Sequence, residues 1–533
     1  MERQMKTSTL ALLLGCLCGF CLCSEQVPSF RLEASQLVFV VLSQPNDYHV
    51  RQAEQFKKHF EEQLTDVHQR HRPSLYLTHS DFLDSPGAWT LFPLIEELTD
   101  KYKGRPYSWV CVCEEDTRVN LARLTALLQR YDSSKEYFLG RELRDLQATI
   151  IHHFSFANNP GHFTYPDTRA GVLLSVGLIH SLRKRLTSEK LFSDFSIDPK
   201  HELALFVWDN GKGSNLTHVQ GFCSADESAD PNCVTTQRDK FPDCGAPVAE
   251  DELFVAVKTC HKFHESRVSV VKATWGKEAK VIEYYSEVED ASIPTVDLGV
   301  PNTERGHCGK TMAIIQRIMK SPRLSRPRWV LIADDDTIIH LPRLRALLAC
   351  YNFRQPVALG ERYGYGQGRG GGYDYITGGG GMVFSQPAIR LLSERCGCYS
   401  DDSPDDMTLG RCLKSIGIPS THSRYFHQAR PDDYSPNYLA NQLPVSFHKH
   451  WNNDPYKVYA DLVAEVTEVA GVTEVAEEEV EVEAQREESG KRMTETWQSD
   501  GGGEGSDGGG EGSDGGGEGS EGGGEESEGR DEL

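Results

Sequence analysis

Residues 329–360 read WVLIADDDTIIHLPRLRALLACYNFRQPVALG, and residues 109–140 read WVCVCEEDTRVNLARLTALLQRYDSSKEYFLG. The two stretches align without a gap at an offset of 220 residues, with 13 identities over 32 positions. Each opens on a buried apolar strand and passes through an acidic turn ending in Asp-Thr. An amphipathic helix follows, in which Leu344, Leu347 and Leu348 share a face, and then a second strand ending in Gly. Strand, turn, helix, strand is the unit of a parallel sheet. Two α/β domains of related fold are therefore expected, meeting in the cysteine-bearing stretch between about Phe222 and Glu252.

The chemistry has not been copied equally. Asp334, Asp335 and Asp336 follow an apolar run and so sit at the carboxyl end of a strand, where open α/β sheets bind ligands. Acidic triplets are commonly solvated turns, but three carboxylates at a strand end repel one another unless a cation joins them. Magnesium or manganese suits oxygen ligands of this kind. Downstream, Gly378–Gly381 enters the apolar Met382–Ser385, and glycines there let backbone approach a ligand. The other run, Gly368 to Gly372, reads as a flexible loop. Asp405 and Asp406 open a helical pattern; a plain cap is the alternative to a catalytic role. Phe426-His427 precedes a segment with His448 and His450, and an imidazole in a mostly oxygen shell favours manganese. The first half has only Glu114-Glu115-Asp116, a single Gly171 and Arg169 where the second has its triplet and glycine run. It keeps the fold without the full site.

The chain has 533 residues, 38% hydrophobic and 25% charged, enough for about two to three domains. Of the net charge of -23, about -20 falls in Asp461–Leu533, so the body is close to neutral. No basic stripe points to nucleic acid. Residues 463–533 are Glu-rich and then Gly/Glu repeats, a composition expected to be a disordered tether; weak calcium buffering is the alternative. Arg3, Lys6 and the apolar Leu10–Leu22 read as a secretory signal peptide over residues 1–23, too short for a stable membrane span of about 17–25 residues. The terminal Arg530-Asp531-Glu532-Leu533 resembles an endoplasmic-reticulum retention signal, implying a retention-signal receptor as partner and a soluble lumenal protein. Eleven cysteines beyond the apolar run suit that compartment, and an odd number leaves at least one thiol unpaired. For Cys111/Cys113 and Cys396/Cys398, disulfides or buried thiols are expected rather than zinc, whose modules use paired Cys-x2-Cys. The sequon Asn215-Leu216-Thr217 marks an exposed N-glycosylation site.

Lys272-Ala-Thr-Trp275, Lys310-Thr311, the Trp-x4-Asp-Asp-Asp-Thr unit, the glycine run, Asp-Asp-x3-Gly and Phe-His together resemble the Fringe-like β-1,3-glycosyltransferases, glycosyltransferase family 31, over about residues 251 to 460. The resemblance implies two tandem Fringe-like domains of GT-A type, the first degenerate. They would occupy residues 24–250 and 251–462. Residue by residue, it implies that Asp336 and His427 hold the metal, Mn2+ or Mg2+. Asp334, Asp335, Lys272, Lys310, Gly379 and Gly380 would bind the nucleotide-sugar. Asp406, with Asp405 beside it, would be the base. The two-copy arrangement, Phe426–Pro431 and Ser446–Trp451 resemble most the members that move glucose from UDP-glucose to O-linked fucose on thrombospondin type 1 repeats. UDP-galactose, UDP-N-acetylglucosamine and a non-catalytic lectin or chaperone are the alternatives. The first half is assigned to acceptor handling or to supporting the catalytic domain.

Overall fold

The computed structural model describes residues 32–83, 91–189, 194–367 and 371–469. The expected leader, nearly all of the tail and the terminal tetrapeptide lie outside these residues, as does most of the first glycine run. The chain forms two compact units dividing between Lys240 and Phe241, and Asp145–Gly161 and Phe192–Asp198 group with the second unit. The units thus differ in extent from the 24–250 and 251–462 read from the sequence.

In the first unit, six strands lie in the order Leu216–His218, Phe138–Gly140, Val172–Ser175, Trp109–Glu114, Leu37–Leu42, Ser74–Leu77. The second unit repeats that order as Ser420–His422, Ala358–Gly360, Met382–Ser385, Trp329–Asp334, Leu253–Lys258, Val281–Ser286, with Thr295–Asp297 added at the edge. Registers repeat as well, since Trp109 faces Ser175 and Leu37, and Trp329 faces Ser385 and Leu253. One expectation changes. Val172–Ser175 and Met382–Ser385 run antiparallel to both neighbours, so each sheet is mixed and the two strands of the repeat are not adjacent.

Trp329–Ala333 is buried throughout, as a strand covered on both faces must be. One face packs under Ile314, Ile315 and Ile318 of the helix Cys308–Lys320 and Leu409 and Leu413 of the helix Asp405–Ser415. Each such buried side chain contributes about 1.5–3 kcal/mol. The helix Pro455–Val469 continues past residue 462, where the tail was expected to begin. Val458 and Leu462 are buried one turn apart, and the Tyr459 hydroxyl donates to Glu278 at 2.8 Å. No helix among the described residues is long and apolar enough to cross a membrane.

Disulfides join Cys223–Cys233, Cys244–Cys350, Cys308–Cys398 and Cys396–Cys412, while Cys111, Cys113 and Cys260 are buried thiols. The two Cys-x-Cys pairs therefore have different fates, one as thiols and one divided between two disulfides. Asn215 is exposed just before an edge strand.

The indole of Trp275, 1% exposed, donates from Nε1 to the Thr337 carbonyl at 2.9 Å and so pins the chain just after the acidic triplet. Trp275→Ala should destabilise the protein by about 3–5 kcal/mol, read as a lowered Tm by differential scanning calorimetry.

Candidate active site

The triplet leaves its strand through a tight turn. The Asp334 N–H donates to Thr337 Oγ1 at 3.1 Å, and that hydroxyl donates to the Gly379 carbonyl at 2.9 Å. Thr337–Ile339 then pairs antiparallel with Ser446–His448, setting Thr337 opposite His448. This register carries the His448 imidazole to Asp336, with Nε2 3.1 Å from Oδ1. A Cβ on Gly379 would run into that ring, so the glycine is a packing requirement. His448 Nδ1 lies 2.9 Å from the Gln428 carbonyl and donates to it, so the Nε2 contact with Asp336 takes a second ring proton; burial opposes that charge and Asp336 more than restores it. Arg267 Nη1 sits 2.9 Å from Asp336 Oδ2 and 3.2 Å from Asp335 Oδ1, its guanidinium 3.8 Å from the Phe263 ring centre. Burial pushes the Asp336 carboxyl up, but His448 and Arg267 together hold it well below the usual range. Asp335 accepts from Thr259 Oγ1 at 2.6 Å, yet burial and neighbouring Asp336 push it up to about 7.

Lys258, the last residue of its strand, faces Asp334 across the sheet. Its buried ammonium lies 2.9 Å from Asp334 and donates to Asp405 at 2.6 Å. Burial lowers the pKa of this lysine, and the two carboxylates more than restore it. Asp405 also accepts from Thr311 Oγ1 at 2.5 Å. Burial opposes its ionisation, but Lys258 and Thr311 bring its pKa down to about 2. Asp405 is thus a locked anchor. Asp406, half-buried, accepts from the backbone N–H groups of Gly378 at 3.2 Å and Met407 at 2.7 Å. Burial and then the charge of Asp405 push it up to about 7, as a general base requires. A Cβ at Gly378 would stand 3.9 Å from both Asp334 Oδ2 and Asp406 Oδ2 and 4.0 Å from Asp405 Oδ1. The carboxylates of both segments converge on this glycine.

Three residues expected at the site lie elsewhere or act differently. His427 is 1% exposed, its ring centre 4.4 Å from that of Tyr434 and 4.9 Å from that of Phe447. It packs among aromatics, and its place beside Asp336 is taken by His448. Lys272 is exposed and donates to the Ser292 carbonyl at 2.8 Å, away from the triplet. Lys310 is buried and donates to the Thr259 carbonyl at 2.6 Å and Asn302 Oδ1 at 3.0 Å, buttressing the strand end. Gly380 donates to Gln428 Oε1 at 2.9 Å and accepts from Ser446 Oγ at 2.6 Å, tying the glycine run to the histidine strand. Lys258, Thr259 and Arg267 went unremarked in the sequence, and Thr311 and His448 were named there without an assigned role. Asp334, Asp336 and His448 offer donor atoms within 4.8 Å of one another, a set of two carboxylates and one imidazole that fits Mn2+ or Mg2+.

The first unit shows what became of the same positions. Thr117 Oγ1 donates to the Arg169 carbonyl at 2.7 Å, as Thr337 does to that of Gly379, so Arg169 stands at the Gly379 position. Its buried guanidinium lies 2.9 Å from Asp116, the counterpart of Asp336. Thr117 faces Gln237 where Thr337 faces His448, and Leu42 faces Glu114 where Lys258 faces Asp334. Gln237 donates to Asp167 at 2.7 Å. A guanidinium built into the chain thus meets the acidic turn of the first unit at the position where the second unit has a glycine and an acid and histidine set able to hold an ion. Titration calorimetry with MnCl2 should therefore find a single ion per chain. His448→Ala should weaken that binding by more than about tenfold, while His427→Ala should lower Tm and leave ion affinity near wild type.

The profile of the Fringe-like family matches residues 88–229 and 248–465. The chain is 50% identical over 477 residues to a β-1,3-glucosyltransferase of Mus musculus, covering 86% of this chain and 96% of that protein. Identity to a β-1,3-glucosyltransferase of Homo sapiens is 53% over 429 residues, covering 80% and 85%. The human β-1,3-N-acetylglucosaminyltransferase lunatic fringe is 26% identical over 208 residues, covering 34% of this chain and 54% of that one. With most of its length matched at such identity, this chain belongs to the Fringe-like family and is a β-1,3-glycosyltransferase.

Proposed function

We propose that the second unit transfers glucose from UDP-glucose, in β-1,3 linkage and with inversion, to O-linked fucose on thrombospondin type 1 repeats. The first unit is then a degenerate copy of the same GT-A type domain. The glucose donor is supported by the two β-1,3-glucosyltransferases, at 50% and 53% identity. The observation that carries the reading is the convergence at Gly378 of a carboxylate from the cation set, Asp334, with the half-buried Asp406.

Negative charge grows on the diphosphate as the sugar departs. Asp334, Asp336 and His448 would hold Mn2+ or Mg2+, which when bound neutralises that charge. Arg267, at the edge of the triplet, supplies a fixed positive charge from the chain itself. Asp406 takes the proton from the acceptor hydroxyl as that oxygen attacks the anomeric carbon. Its neighbour Asp405 is tied up by Lys258 and Thr311 and Asp334 belongs to the cation set, which favours a single displacement over attack by a second carboxylate. A single displacement inverts the α-linked donor to a β product. Four disulfides form in an oxidising compartment, which supports the endoplasmic-reticulum lumen as the site of action.

Incubating a fucosylated repeat with UDP-glucose and manganese should add one hexose by mass spectrometry; addition only from UDP-galactose or UDP-N-acetylglucosamine overturns the donor. Asp406→Asn should abolish transfer and leave UDP and manganese binding close to wild type. Because Asp406 acts deprotonated and its pKa is raised to about 7, kcat/KM should climb about tenfold per pH unit below neutrality and level off above it.

A further inference from the structure

The hairpin Arg362–Tyr365 and Tyr373–Ile376 carries four tyrosines on one face, because Tyr363 pairs with Tyr375 and Tyr365 with Tyr373. The inner pair is buried, with ring centres 6.1 Å apart. The outer pair reaches the surface at a spacing of 5.7 Å, and Phe195 of the adjoining strand extends the row at 5.2 Å from Tyr365.

This row is held against the helix that bears Asp406. Gly410 of that helix sits so close that a Cβ would strike Tyr375 Cβ, and Lys414 donates to the Gly372 carbonyl. Met407, next to Asp406, packs in the same apolar cluster as Tyr363, Tyr373 and Tyr375. The charge of Asp406 is felt along the row: burial first, and then Asp406, raise the Tyr375 hydroxyl, and Asp406 adds to the rise at Tyr373. Tyr399 is 76% exposed and has the Arg411 guanidinium 5.2 Å from its ring centre, and Arg411 stands on the same helix as Asp406. The tyrosines thus form a ridge from the base outward.

We infer that Tyr373, Tyr365 and Tyr399, with Arg411, form the docking ridge for the acceptor, a sugar-bearing folded polypeptide. This rests on the transferase reading above. Whatever hydroxyl Asp406 deprotonates must arrive with its carrier lying against the groups that flank Asp406. Tyrosine faces present flat apolar area at low entropic cost, with hydroxyls that bond to sugar and peptide, and Tyr and Arg are the side chains that dominate protein contacts. No metal-ligating cluster lies on the ridge among the described residues, and a row of tyrosine rings with Arg411 suits a neutral sugar on a peptide better than a diphosphate.

The test uses the full chain with Tyr365→Ala and Tyr399→Ala, both exposed positions, checked by unchanged Tm. With a fucosylated thrombospondin type 1 repeat varied at saturating UDP-glucose and manganese, each should raise acceptor KM by about tenfold or more. Affinity for UDP with manganese, and kcat extrapolated to saturating acceptor, should stay within about twofold. Direct calorimetric binding of the repeat, in the presence of UDP and manganese, should weaken in parallel. Wild-type KM and wild-type repeat affinity in both variants would overturn the ridge, as would equal losses of UDP affinity, which mark a structural role. A wild-type protein that transfers no sugar from any of the three donors sinks the functional reading instead, and the binding measurement still decides the ridge.

Discussion

Five aspartates, Asp334, Asp335, Asp336, Asp405 and Asp406, crowd one end of the second sheet, and buried negative charge on that scale demands positive partners. Lys258 reaches Asp334 and Asp405, Arg267 spans Asp335 and Asp336, and His448 closes on Asp336. The backbone follows from that need. Lys258 ends a strand in register with Asp334, and His448 ends one in register with Thr337. Of the five, only Asp406 has backbone N–H groups alone as its partners, and its raised affinity for a proton suits the base proposed for it.

The first unit is an internal control for this balance. Its Asp116 is answered by Arg169 from within the chain, its Gln237 cannot exchange a proton, and Leu42 needs no partner at all. The strand order and the hydroxyl latch from Thr117 or Thr337 recur in both units although different residues fill the cradle. Gly171 and Gly381 keep the same backbone, φ +89° and +92°, which favours glycine at both positions.

The repeat at offset 220 made the triplet strand, its turn and the helix Leu341–Leu348 legible, since apolar periodicity is local. The mixed sheet was not, because Met382–Ser385 has the apolar run of any buried strand and direction leaves no mark on composition. The choice between His427 and His448 depended on the long-range pairing of Thr337 with His448, and no local pattern separates a histidine packed on Tyr434 and Phe447 from one facing a carboxylate. Lys258 was discoverable in principle: a lysine closing the apolar run Leu253–Val257 is costly unless something negative awaits it. Asp405 and Asp406 look identical as neighbours in sequence, and only their partners tell the one locked by Lys258 and Thr311 from the proposed base.

Cys308–Cys398 and Cys396–Cys412 tie the helix that carries Thr311 to the one that carries Asp405 and Asp406, closing loops of 90 and 16 residues. Both cross-links share the Cys-x-Cys at 396–398, so mispairing there would displace the anchor and base together. The placement of Thr311, Asp405 and Asp406 therefore depends on oxidation and correct pairing of four cysteines, none of which is itself in the acidic cradle.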